Sequence, residues 1–390
     1  MSYVIHGVLT TLSPLHITEP GTNYVNFEGF ESSYLAKGKN LFPAMVTRRQ
    51  YIGKNAFPVG GLVESGAAEP ERTAGFTRIP VIPANSIRGR LRRCAAREYY
   101  DALLEKGQSL SVKAYNVMQC GAATGNPDGS SAPFDDILAG EAHAYFGLFG
   151  GGTRIRRSNL RVDEAWAVTP ATHGFVPYVP VEYVAGAGHS LTRYSFKRRN
   201  DDLLSLADSA YQTRILGEDH RHLIGEYQDS ALRKKEATAR KKGKAAGADA
   251  QAPSEEVSEA EGEKEEKLRG LQSFTAVESV NPGVHFSLRF EVNGGPRHAG
   301  LLLVALQRWV REQRIGGLGQ IGFGRFAVPE LVIRRSDGAS SDVFGPALGA
   351  DPGDRRLADS SLIQEVMDAW NEARDGADAA VIEELSGSLA

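Results

Sequence analysis

Between turn-rich breaks, apolar positions recur along the chain with two distinct periods. Residues 3–12 (YVIHGVLTTL), rich in β-branched side chains, predict a first strand. Ile79 to Ile82 is a short apolar run, and Pro83-Ala84-Asn85-Ser86 then offers a turn and a capping residue for a helix through about Leu104. In that helix Ile87, Leu91, Cys94, Ala95 and Tyr99 fall at helical spacing as a buried stripe, while Arg90, Arg93 and Arg97 line another face. Residues 283–292 alternate as a strand, 298–314 read as a helix, and 324–335 return as a strand. Residues 107–140 and 337–361 are turn-rich and read as loops. Near the end, 362–373 carries Leu362, Val366, Ala369 and Trp370 at apolar helical spacing, which predicts packing on the chain's own core. Strands and helices interleaved in this way fit an α+β sandwich, helices on one face of an antiparallel sheet.

Length and charge add to the picture. The 390 residues allow two or three domains or one large decorated one. The longest apolar run, Leu301 to Leu306, is far below the roughly 20 residues of a membrane span. MSYVIHG has no basic region followed by an apolar one, so no secretory signal is expected, and the protein reads as cytoplasmic with no membrane partner. Cys94 and Cys120 alone make neither a disulfide scaffold nor a cysteine-rich zinc site. Net charge is −3, but its sign is segregated. Residues 351–390 hold ten acids against three arginines. Three windows, 86–97 (Arg88, Arg90, Arg92, Arg93, Arg97), 154–161 (Arg154, Arg156, Arg157, Arg161) and 193–199 (Arg193, Lys197, Arg198, Arg199), hold 13 bases in 27 residues and no acid. Such bunching is the footprint of a phosphate-binding surface. Residues 230–269 form a low-complexity stretch, basic then acidic, too poor in large apolar side chains to offset its ordering entropy; it reads as a solvated insertion.

Candidate chemistry is sparse. Gly317, Gly319 and Gly322 match the dinucleotide pattern G-x-G-x-x-G, yet here a helix precedes and a strand follows, so no helix N-terminus receives a pyrophosphate. The run Gly316 to Gly324, flanked by Arg314 and Arg325, is either a tight turn on its own sheet or bare backbone set against an RNA strand. No P-loop, H-E-x-x-H or G-x-S-x-G occurs, and His220-Arg221-His222 does not have metal-ligand geometry. His6 and His16 are candidates for acid–base cleavage of RNA, although an isolated histidine at a strand end is more often structural. The carboxylates near the basic helix are Glu19, Glu28 and Glu31, and no aspartate precedes Asp101. No metal and no cofactor is expected. Tyr99, Tyr100, Tyr194 and Phe196 lie near the basic windows, where aromatic rings can stack on bases or serve the core.

Five blocks follow one another: Ser13-Pro14-Leu15-His16-Ile17; Ile82 to Arg92; Leu148-Phe149-Gly150-Gly151 with Ser158 to Ala165; Asn281 to Phe286; and Gly316 to Gly324. Their order resembles the RAMP-superfamily backbone subunit of multi-subunit CRISPR effector complexes, and the charged insertion and long first insertion are most similar to the type IV version. The resemblance implies a modified RNA-recognition-motif (ferredoxin-like) palm with finger and thumb insertions. The palm would comprise residues 1–18, 76–185 with a loop insertion near 107–140, and 276–336 with the Gly-rich loop. Residues 19–75 would be the finger, 186–275 the thumb with its charged stretch, and 337–390 an acidic tail with a helix.

The implied function is guide-RNA (crRNA) binding by copies assembled head to tail, together with other effector subunits, presenting the guide for pairing with target DNA or RNA. Asn85, Ser86 and the arginines after them, Tyr194 beside Arg193, and Gly317, Gly319, Gly322 and Gly324 with Arg325 would hold the guide. Type III relatives cut RNA with an aspartate after the first strand. This sequence has none there, and Glu28 or Glu31 would have to substitute. The resemblance therefore implies a scaffold that is not an enzyme, with an endoribonuclease as the alternative.

Overall fold

The computed structural model describes residues 2–19, 23–26, 41–53, 76–121, 134–152, 156–185, 190–201, 271–329, 331–336, 341–344 and 361–387. They divide into two compact units. The first comprises 1–30, 39–195 and 276–390, and the second 31–38 and 196–275. Of the second, only strand segments at 196–201 and 271–275 are described. The charged stretch 230–269, His220 and His222, Glu28, Glu31 and Arg154 lie outside the described residues.

The first unit is organised by an antiparallel sheet. β1 (Tyr3–Thr11) lies between β10 (His285–Val292) and β12 (Leu331–Arg335); β6 (Leu160–Val162) pairs with the outer edge of β10, and β13 (Ser341–Phe344) with that of β12. In chain order the principal elements are β1, helix α1 (Ala84–Glu105), β6, β10, helix α5 (Pro296–Glu312) and β12. In space the strands run β12-β1-β10-β6, so two strand–helix–strand units interlock. Alternation explains which face is covered. Tyr3, Ile5, Leu9 and Thr11 of β1 and Phe286, Leu288, Phe290 and Val292 of β10 are buried. All but Thr11 share one core with Ile87, Leu91, Cys94, Ala95 and Tyr99 of α1 and with the apolar stripe of α5. Val8 is buried in a second, smaller cluster with Val168, Val176 and Val179.

Two further sheets are present among the described residues. β2 (Asn23–Asn26), β3 (Leu41–Met45), β9 (Leu271–Val280) and β8 (Thr192–Asp201) form one in the order β2-β3-β9-β8, and β4 (Arg49–Gly53), β5 (Phe76–Ile82) and β7 (Ala165–Trp166) form the other.

Several elements depart from the sequence expectations. Residues 107–140, read as a loop, hold helix α2 (Val112–Cys120) and most of helix α3 (Phe134–Ala142), and α4 (Ala144–Phe149) follows. Turn-forming residues mark the borders of α2: Ser111 accepts the Ala114 amide as N-cap, and Gly121 closes its C-terminus in the left-handed region. Neither Asn85 nor Ser86 caps α1, which begins at Ala84 after Pro83 with no side-chain cap. The strand expected over 324–335 is split into β11 (Phe326–Ala327) and β12, with Pro329, which has no amide hydrogen to donate to a ladder, between them. The C-terminal helix is α6 (Ser361–Asp375), packed on α5 as its apolar spacing predicts, and a further helix α7 (Ala379–Ser386) follows. Among the described residues no helix is long and apolar enough to cross a membrane.

One packing feature makes stability depend on pH. His143 caps α4, its Nδ1 accepting the amides of Tyr145 at 3.1 Å and Phe146 at 3.4 Å, so that nitrogen must be unprotonated. Burial, then the neighbouring His298, Arg156 and Arg297, lower its pKa to about 4. The unfolded chain protonates this imidazole near pH 6.5, while the folded chain resists until about pH 4. Stability therefore falls as pH drops through that window, by about 2 kcal/mol between pH 7 and pH 5 from this group alone. His143→Asn, which keeps a capping side chain without the titration, is expected to flatten the urea-midpoint profile over that range.

Candidate nucleic-acid interface

The Gly-rich run is the connection between α5 and β11, and it lies against the segment that leaves β1. Gly317 N donates to His16 O at 2.9 Å and Gly324 N to Pro14 O at 2.8 Å, while Ile315 N closes the turn on Gly324 O at 3.0 Å. Arg325 N donates to Ser13 Oγ at 2.8 Å, and Arg314 reaches Phe323 O at 3.1 Å. Two glycines are needed by this turn itself. Gly316 (φ +77°) and Gly324 (φ +76°) are left-handed, and an added Cβ would meet His16 O in the first and Ile315 O in the second.

Gly317 and Gly319 are different. An added Cβ would meet nothing nearer than 3.8 Å at Gly317 and nothing within 4 Å at Gly319, and neither has a left-handed φ. The turn's own geometry therefore does not require glycine at these two positions. Ile321 projects from its tip at 56% exposure.

The 13–17 segment connects this turn to a second predicted group. Leu15 and Val280 exchange backbone hydrogen bonds, Asn281 N donates to Leu191 O at 2.9 Å, and Ser195 Oγ bonds Val277 O at 3.4 Å, so the start of β8 adjoins the end of β9. Arg193 and Tyr194 at that start are exposed. Lys197, Arg198 and Arg199 continue along β8.

Beneath lies a buried polar cluster. Glu278, wholly enclosed, is ion-paired with Arg49 and accepts the Thr47 amide at 3.0 Å, and Arg49 also bonds Thr192 Oγ1 at 2.8 Å. His16 is buried in the same cluster, its Nδ1 on Glu278 O at 2.7 Å and its Nε2 on Thr18 Oγ1 at 3.1 Å. Both ring nitrogens are thus occupied by structural partners. His6 lies on β1, paired in register with Arg289 and 5.1 Å from the Tyr178 ring; burial, then Arg334 and Arg289, lower its pKa. Among the described residues no group of three or more His, Cys, Asp or Glu is placed to hold a metal.

Among the described residues, the arginines of the first two windows do not form one continuous cationic face. Glu312 at the end of α5 pairs with both Arg90 and Arg97, so a carboxylate distant in sequence supplies the compensation that the window lacks. Arg88 and Arg92 donate to Phe149 O, the last carbonyl of α4, at 2.7 and 2.9 Å, and Arg92 also reaches Cys120 O at the end of α2 at 2.9 Å. Arg156 bonds Leu385 O near the end of α7, and Arg161 pairs with Glu291 at 3.5 Å. Cations at helix C-termini satisfy the last carbonyls and oppose the helix dipole. Sequence reasoning had no signal for these roles, because each partner is at least 28 residues away. Arg93, Arg157, Arg193 and Arg325 are exposed, and among the described residues none forms an ion pair. Asn85 is exposed and Ser86 half-buried at the start of α1, while Gly322 (φ +90°) closes the 3₁₀ turn Gly319–Ile321. Tyr99 belongs to the core, edge-on to Tyr145 and Trp370.

An antiparallel sheet with two interleaved helices, and a glycine turn laid across the exit of its first strand, defines an α+β protein with a bare-backbone surface. The RAMP superfamily model matches residues 8–327, and the chain belongs to that superfamily. No curated protein matches the chain. Among solved structures, it is similar to a chain of a type IV-B CRISPR complex at 12% identity and a TM-score of 0.38, over 86% of this chain and 91% of that one. It is also similar to a chain of the type III-B Cmr-beta bound to cognate target RNA at 9% identity and a TM-score of 0.32, over 88% of this chain and 61% of that one.

Proposed function

We propose that this chain is a guide-RNA-binding backbone subunit of a CRISPR effector complex of the type IV kind, and that it is a scaffold without catalytic activity. The interlocked β1-α1-β6-β10-α5-β12 arrangement serves as the modified RNA-recognition-motif palm, residues 19–75 as finger and 186–275 as thumb. Copies line up head to tail on the RNA beside other effector subunits, and the guide pairs with target DNA or RNA. Close approach to a bare backbone and contacts from arginines do not read bases, which suits a guide of variable sequence. The enclosure of His16 and the pairing of Glu278 with Arg49 support a scaffold over an endoribonuclease.

The observation that carries this reading is the pair Gly317 and Gly319, exposed or half-exposed backbone that the fold does not require to be glycine, beside the cation Arg325. The double substitution Gly317→Leu/Gly319→Leu is expected to leave the melting temperature unchanged and to weaken binding of a fluorescent single-stranded RNA at least tenfold. Two RNAs of unrelated sequence should bind the parent equally, with log affinity falling about 0.7 per contacted phosphate for each unit of log salt. RNA affinity unaltered by the double substitution overturns the assignment of this loop.

A further inference from the structure

Away from the glycine turn, helices α2, α3 and α7 form a surface of opposite character. Val112 and Tyr115, one turn apart on α2, are 86% and 51% exposed, and Phe134 and Leu138, one turn apart on α3, are 71% and 47% exposed. Helix α7 packs against both and exposes Val381, and Leu104 at the end of α1 is 72% exposed. A soluble protein rarely exposes so many large apolar side chains on adjoining helices without a partner for them.

Charge narrows the class of partner. Residues 104–121, 134–142 and 375–387 carry eight carboxylates against Lys106 and Lys113, and Arg92, Arg156, Arg297 and Arg374 reach these helices from neighbouring segments. Both lysines are held at backbone carbonyls, Lys106 at Ala377 O at 2.7 Å and Lys113 at Gly387 O. The carboxylates of Asp135, Glu141 and Glu384 are exposed. With Arg92, Arg156 and Arg297 engaged on helix-end carbonyls and Arg374 on Glu105, these exposed carboxylates leave the surface acidic, which disfavours a phosphate backbone. The surface complements a segment that is apolar along one stripe and basic at its flanks, the pattern of an amphipathic helix laid across neighbouring helices.

The architecture supports a built surface. Helix α7 is fastened to the 108–113 segment by Gln108 Oε1, which accepts Ala379 N at 2.9 Å, and by Glu383, which accepts both Ser111 N at 2.5 Å and Ser111 Oγ at 2.7 Å. It lies beyond residues 8–327, the span shared with the superfamily. We infer that the α2–α3–α7 face docks a protein partner through a basic amphipathic helix. This is a different surface from the glycine turn and does not depend on the RNA reading.

The test uses the full chain and a 20-residue leucine–lysine peptide of amphipathic helical pattern as probe, with a leucine–glutamate peptide as comparator, in fluorescence anisotropy at 0.15 M salt. Saturable one-to-one binding of the lysine peptide is expected, with none of the glutamate peptide. Phe134→Asp/Leu138→Asp should weaken it at least tenfold, and hydrogen exchange should slow across 111–120 and 134–142 on binding. Val112→Ser/Tyr115→Ser, which changes only side chains exposed by half or more, gives a second reading if the first variant misfolds. Equal binding by parent and folded variants, or protection elsewhere, overturns the inference. Sedimentation showing self-association of the parent that the same substitutions abolish also overturns it, assigning the face to a second copy.

Discussion

Glu278→Ala is expected to lower the stability of this protein by about 3 kcal/mol, read as a reduced urea midpoint with an unchanged slope. Glu278 is fully enclosed, and its loss removes the carboxylate that pairs with Arg49 and the acceptor of the Thr47 amide. Arg49 keeps some solvent contact, with 22% of its side chain exposed, which places the cost at the lower end of values for a broken buried pair. The double replacement Arg49→Met/Glu278→Leu removes both charges at similar volume and should recover most of the loss. The 13–17 segment under the glycine turn is anchored by Leu15 on Val280 and by His16 on Glu278 O. Both anchors use backbone atoms at 278 and 280 that Glu278→Ala retains, so the segment should stay seated at temperatures where the variant remains folded. A single-alanine variant as stable as the parent refutes this account of the cluster.

Trp370→Ala should cost about 3–5 kcal/mol, the usual range for a fully enclosed indole. Trp370 is 1% exposed and packs edge-on to Tyr99, joining α6 to α1, while Leu362 and Val366 on the same stripe are also buried. Gly300 on α5 permits this approach: an added Cβ would overlap Val366 O and lie 2.7 Å from Trp370 Cβ. Because the obstacle is backbone, α6 must shift as a unit, and Gly300→Ala should cost about 2–3 kcal/mol. The two substitutions act on one contact, so their combination should cost clearly less than their sum in thermal or urea unfolding. Full additivity would mean that α6 does not move as one element. The ion pairs Arg335–Glu365 and Arg374–Glu105 at the rim of this contact have exposed members and should each contribute little.

Much of the architecture was legible because it rests on local periodicity. The stripe Ile87, Leu91, Cys94, Ala95 and Tyr99 is buried as its spacing predicts, the alternation at 285–292 is a strand, and Leu362, Val366 and Trp370 face the core. Helices α2 and α3 were hidden because they are short, nine residues each, and bordered by the Gly, Ser, Asn and Pro residues that also mark loops. Their helical state is supported by docking on α1, α4 and α7, which no local signal encodes.

The candidate site divides along the same line. Composition alone located the arginine windows and the glycine run, and the order of blocks pointed to the superfamily that the chain belongs to. Charge counted along a chain says nothing about which carboxylate or helix end lies across the interface. Only the tertiary structure engages Arg88, Arg90, Arg92, Arg97 and Arg156 with Glu312 and with the ends of α2, α4 and α7. Among the glycines, sequence could say that backbone is bare, whereas only the fold separates Gly316 and Gly324, required by left-handed turns and close approach, from Gly317 and Gly319, which it leaves open. The periods of 2 and 3.6 are written in the covalent chain, but the pairing of charges and the room beside a Cα arise from residues distant in sequence and exist only once the chain has packed.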